Sequence, residues 1–492
     1  MDIPGALCYI IKNKQRWDVF FVEFLQMLIF VVLSAIAVSY GWGMRGTVLG
    51  GEKGAMLPGA IMGLLIAFFS GSEVLKENFF MVSAVGALGM YFGGAMTYGE
   101  TLGLSMNEKP AENMKKGLIA LFVKGAIWFG IFGSCVGIFL TASTGRLYTV
   151  KDFLILFALL PVFALGFYFL LNKPHKPKED KLPKIYFSKT RQECWGGLLG
   201  IFVLFVGFMA FKGDRFALWL TLGSLLSGAI GWVIGQIFQI RMKHPGKNGK
   251  RVFEGLHKKK LSEPWKMMEC TFGAIGGAGV ALTLYFLRGD MAGIAQALRA
   301  NGGLWSPLPA WADWVAYGWL ALLSAALVFT VIAKKAKGEK AKKRLKNYDA
   351  IEDTLSFPLY CVIPLFFVFT GQRDFANLTS FLVLFVVIVQ EILFTEFNKL
   401  KIGVPLQVLS LAGFAAIAVA NMAFDWIPGS LLTAILYGVY YEALSLLEIY
   451  ARVKAKGRQG GTLFERYGGV VPVHTFFCIA VVIFAVSAVY WL

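Results

Sequence analysis

Long apolar runs, broken by short polar or glycine-rich stretches, recur from residue 20 to residue 491. They lack the strict alternation of a half-buried strand. A helix needs roughly 20 mainly apolar residues to cross a hydrocarbon core about 30 Å thick. On that measure the pattern predicts about fourteen spans: 20–42, 55–71, 79–98, 117–141, 152–171, 195–211, 216–240, 267–287, 312–333, 354–371, 378–397, 402–424, 430–450 and 471–491. Only helices and closed barrels satisfy the backbone in lipid, so continuous apolar runs predict an all-α, polytopic helical membrane protein. No cleavable leader is expected, because residues 1–19 carry charges but no small-residue cleavage site before the first span.

Glycine refines the picture. Forty of the 55 glycines precede residue 290. Pairs four apart stand at Gly59/Gly63, Gly89/Gly93, Gly133/Gly137, Gly231/Gly235 and Gly273/Gly277. Small residues at this spacing let helix backbones touch, which predicts tight packing of the first eight spans. A weak internal repeat runs through the same region. Gly86-Ala-Leu-Gly89-Met-Tyr-Phe-Gly93 resembles Gly228-Ala-Ile-Gly231-Trp-Val-Ile-Gly235, and Phe129-Gly130-Ile-Phe-Gly133 resembles Phe272-Gly273-Ala-Ile-Gly276. The copies lie four spans apart, an even number, so the expected duplication is a parallel one of a four-helix unit, 20–141 and 152–287. The expected organisation is an interfacial segment (1–19), a glycine-rich eight-helix unit (20–290), an external loop (291–311) and a six-helix unit (312–492).

The net charge of +18 would suit a nucleic-acid partner, but its distribution argues against one. Of the 48 Lys and Arg, 36 fall in loops that follow odd-numbered spans and 11 on the opposite side. The positive-inside rule then puts the basic loops in the cytoplasm, both termini outside, and the protein in a plasma or inner membrane. Lys12, Lys14 and Arg16 run against that orientation, which leaves room for a re-entrant early span or an interfacial N-terminus. The six cysteines include no CxxC pair and the four histidines are dispersed, so no metal site or cofactor is expected.

Ionisable residues inside spans are costly and draw attention for that reason. Lys124, Glu269, Glu391 and Glu442 qualify. Glu23 sits near a span end, and Glu396 and Glu448 lie within reach of the inner boundary. Glu52, Glu100, Glu193 and Glu269 all fall at the cytoplasmic ends of their spans. With few matching bases inside the membrane, such acids would line a water-filled vestibule or be protonated. For Glu100 and Glu193, pairing with the adjacent basic loops is an equally good reading.

Residues 39–63 hold eight glycines with Arg45, Glu52 and Lys53. Placing Pro58 in the first turn of a helix predicts a non-helical, glycine-rich entry over 42–57. Arg45 and Glu52 form either a structural latch or part of an anion site at a helix start. Pro161, Pro358, Pro364 and Pro405 fall within spans and predict kinks. The segment 288–311, with Trp305, Pro307, Pro309 and Trp311, reads as an aromatic belt anchor or an outer lid.

Three functions compete. A secondary carrier for a polar, anionic small solute fits the repeat, the kinked spans and the buried acids, with Arg45, Glu52, Lys53 and Lys124 as the solute site. Glu269, Glu391 and Glu442 would be its coupling acids, driven by protons or cations. The alternative is a membrane-embedded transferase or hydrolase acting on a lipid-linked substrate at the cytoplasmic face. It lacks a nucleophile–base pair, and His474 reads better as an interfacial residue. A channel or scaffold ranks last. Partners beyond the bilayer and a small solute are not indicated.

Overall fold

In a computed structural model the chain is described over residues 23–43, 51–96, 98–106, 111–172, 185, 187, 193–246, 248–255, 264–309, 311–312, 314–315, 318–319, 357–373, 375–376 and 379. The described residues are all-helical, with no strand. The elements are α1 (Glu23–Gly43), α2 (Gly51–Phe69), α3 (Glu73–Glu77), α4 (Phe79–Gly94), α5 (Tyr98–Met106) and α6 (Ala111–Ala142). They continue with α7 (Val150–Phe167), α8 (Trp195–Lys212), α9 (Arg215–Lys243), α10 (Pro264–Phe286), α11 (Arg288–Asn301) and α12 (Ile363–Phe369).

Six of these, α1 and α6 to α10, are long and apolar enough to cross a membrane, α7 by running on through a wider π turn at Tyr168–Asn172. α2 and α4 are apolar but shorter. The expected spans through residue 287 each meet an apolar helix, and most ends agree within a few residues. The span expected at 354–371 is met in part by the π turn Pro358–Val362 and α12; the remaining spans lie outside the described residues.

The core is organised around α6. In its apolar window 83% of residues are buried, against 11% for α7, which turns Leu154, Val162, Leu165 and Phe169 outward. An apolar helix that bare is costly in water and at ease in lipid. α6 lies along α9 through Gly125, Gly133 and Gly137, where an added Cβ would press on Gly228, Ser224 and Ala217. α2 and α4 touch at Gly59 and Gly86, each of which leaves no room for a Cβ beside the other's carbonyl. Gly231 and Gly235 seat α9 on Phe272 and Met268 of α10, and Gly273 and Gly277 seat α10 on Val38 and Ser34 of α1. All five glycine pairs therefore lie at helix contacts, as their spacing predicts.

One expectation is corrected. The entry over 42–57 is not wholly non-helical: α1 runs through Gly43, and α2 begins at Gly51, with Pro58 inside it. The missing Pro58 N–H leaves one carbonyl unbonded, but the Gly59–Gly86 and Gly63–Val82 contacts reward a helix that continues through it. Pro161 likewise sits inside α7, which ends in the π turn, and Pro358 opens the π turn that leads into α12. The segment expected as an external loop starts within α11, and Trp305 then docks on the α6–α7 turn, its N–H donating to Ser143 O at 2.8 Å.

Candidate functional site

The C-terminal ends of α1, α4 and α9 meet the N-terminal ends of α2, α6, α8 and α10 at one end of the bundle. Lys124, about two turns beyond Lys116 in α6, is fully buried. Its Nζ donates to Glu193 Oε1 at 2.8 Å and to Thr101 Oγ1 at 2.9 Å. Glu193 is equally buried, and its second oxygen accepts the Phe187 N–H at 2.8 Å. It stands two residues before α8, where the partial positive charge of a helix start favours a carboxylate. Lys124 also lies 5.7 Å from the centre of the Phe187 ring.

A second pair is built on the first turn of α10. Lys266 Nζ lies 3.1 Å from Glu269 Oε2, and it also donates to the carbonyl of Gly43 at 2.9 Å, a helix-end group with no partner inside α1. Tyr98 Oη donates to the other Glu269 oxygen at 3.0 Å. Both pairs are dry, and an isolated ion in such a place costs several kcal/mol.

α5 joins the two. Its Tyr98 meets Glu269 and its Thr101 meets Lys124, while Gln236 of α9 donates to Leu102 O and Ser105 Oγ. Gly117 of α6 gives Ser105 the room to approach. Nine residues thus sit bonded to α6, α9 and α10. Beneath lies an aromatic cluster. The Trp232 ring is 5.0 Å from Tyr98, 5.3 Å from Trp128 and 5.2 Å from Phe272, and Trp42 is 4.3 Å from Phe272. Trp128 Nε1 donates to Met90 O at 2.8 Å. Trp232 Nε1, Gln236 Oε1 and both amide atoms of Gln239 are buried with no hydrogen-bond partner among the described residues. Positions 232, 236 and 239 share one face of α9.

Two of the sequence-derived site residues thus lie here, Lys124 in one pair and Glu269 in the other. Glu52 and Lys53 belong to the first turn of α2, at the same end. Arg45, Glu391 and Glu442 lie outside the described residues. The expectation of few intramembrane bases for the buried acids is corrected at two of them: Glu193 meets Lys124, and Lys266, counted with the basic loop, is buried against Glu269. Tyr98, Thr101 and Gln236 were missed. The spacing of Tyr98, Thr101, Leu102 and Ser105 is a signal of a short helix with one bonding face, available in the sequence.

Chemically, each pair sets one lysine against one carboxylate. A charged group that takes one member of a pair displaces the other, and the displaced ion must then be neutralised or paired again. Among the described residues no group of three His, Cys, Asp or Glu side chains could hold a metal. Comparison of the chain with protein-family models, curated proteins and solved structures finds no match.

Proposed function

We propose that this chain is an integral membrane carrier for a small polar solute, of the secondary type, coupled to protons or cations through its buried carboxylates. The reading includes fourteen spans, a parallel four-helix duplication in the first eight, and basic loops facing the cytoplasm, so that α5 lies at the inner face. The observation that carries it is the bridging of two buried Lys–Glu pairs by one short helix. An anionic solute group competes with Glu193 for Lys124, and release of Thr101, and with it α5, from Lys124 follows the exchange. Proton uptake by the displaced carboxylate removes the cost of leaving it unpaired, which is how a gradient enters the cycle. Arg45, Glu52 and Lys53 complete the solute site in this reading, with Glu391 and Glu442 as further coupling acids.

The test is uptake of a mixed metabolite pool by proteoliposomes, with and without a proton gradient. Wild type is compared with Glu193→Gln, Arg45→Ala and Glu442→Gln. Gradient-driven accumulation that Glu193→Gln abolishes in folded protein is the expected result. No movement of any solute, with turnover of an added lipid-linked substrate, would replace the carrier by the transferase or hydrolase.

A further inference from the structure

At the opposite end of the bundle from α5, where α1 begins and α2 and α10 finish, lies a cavity of about 370 Å³ that the proposed site does not use. Its floor is apolar, with Phe30 and Phe69 stacked at 4.7 Å beside Ile66 and Leu284. Its rim carries Glu23, Gln26, Lys76 and Arg288, charges of both signs.

The rim groups differ in what they have left to give. Arg288 is exposed, stacks over the Tyr285 ring at 4.6 Å and spends one N–H on Tyr285 O at 3.2 Å. A guanidinium has five N–H donors in a planar fork that matches a phosphate. Lys76 is held by Glu73 at 2.9 Å and adds positive charge to the same rim. Glu23 is exposed on the first turn of α1. Next to it along α1, Phe24 and Leu28 are exposed at 44% and 43% and give an apolar path away from the cavity. At about 30 Å³ per water the space holds on the order of a dozen waters. That suits a headgroup and glycerol, not two acyl chains.

An apolar floor, a free phosphate fork, a carboxylate and an apolar exit together describe an amphiphile bearing phosphate and amine. We propose that this cavity seats the headgroup of an amine-bearing phospholipid of the phosphatidylethanolamine class. Its phosphate lies on Arg288, its ammonium on Glu23, and its chains leave along Phe24 and Leu28. Glu23 repels a headgroup that is anionic only, so phosphatidylglycerol is disfavoured. The inference rests on the membrane reading and not on transport.

The experiment is native mass spectrometry of the full chain in detergent, titrated with phosphatidylethanolamine, phosphatidylglycerol or soluble glycerophosphoethanolamine. We expect phosphatidylethanolamine to bind about tenfold more tightly than phosphatidylglycerol, and Arg288→Ala to lose about tenfold of that binding, as removal of one charge-assisted contact predicts. Glu23→Gln keeps binding but loses the preference. Both side chains are exposed, so neither variant threatens the fold. Equal binding of the two lipids by wild type, or an unchanged Arg288→Ala, overturns the proposal. Equally tight binding of the soluble headgroup overturns the lipid as its source. Recovery of the chain from cells without detergent would instead sink the membrane reading itself.

Discussion

At the α5 end, two buried carboxylates face lysines, one from a helix 69 residues away in sequence and one from their own helix turn. At the other end Asp214, 2% exposed, is held among the described residues by neutral donors alone: Thr141 Oγ1 at 2.5 Å, Tyr148 Oη at 2.7 Å and the Ala217 N–H at 3.0 Å. Asp214 caps α9, and every donor it uses is a fixed part of the fold. The nearby Lys212 turns instead to the partly exposed Asp152 at 3.0 Å. Buried charge is therefore handled in two ways. The cap has nothing to exchange and serves to start a helix. The lysine pairs bury opposite charges together, and in the proposed carrier they are the end at which the solute acts.

Four substitutions separate these cases. Lys124→Met removes the lysine from Glu193 and is expected to cost about 3–5 kcal/mol in unfolding free energy, measured by denaturation in detergent. Adding Glu193→Leu is expected to restore most of it. A single-variant loss below about 1 kcal/mol would mean the pair is reached by water and that the two ends do not differ as described.

Tyr148→Phe removes one hydrogen bond to a carboxylate, an expected loss of about 1.5–3 kcal/mol. It also tests the cap through pH. Burial, and then the charge of Asp214, hold the Tyr148 phenol well above its ordinary range. In the unfolded chain the phenol ionises near pH ~10. The folded state keeps its proton there, so this contribution is full below that pH and falls as pH rises through it. The difference between wild type and Tyr148→Phe should shrink above pH ~10; a constant difference would place Tyr148 in water. Lys212→Ala, which breaks a partly exposed pair, is the smallest effect at about 0–1 kcal/mol, reduced further by salt.

The helix contacts were legible because the spacing of Gly59 and Gly63, or of Gly231 and Gly235, is a local property that fixes which face can approach another helix. The cost of Lys124 and Glu269 in an apolar run was legible for the same reason. Their partners were not. Lys266 reads as the end of a basic loop until Pro264 is seen to open α10, and α5 hides in a stretch short enough to pass for a connection. The non-helical expectation failed at 42–43 and 51–57 because it weighed Pro58 and the glycines locally. The contact of Gly59 with Gly86 decides the matter from another helix.

The 69 residues between Lys124 and Glu193 also set a waiting time. At a synthesis rate of about 5–20 residues per second, the lysine emerges roughly 3 to 14 s before its partner exists. During that interval Lys124, in the helix at the centre of the bundle, has yet to meet Glu193. The contact of Lys124 with Glu193 is therefore expected to form only once the start of α8 has been made.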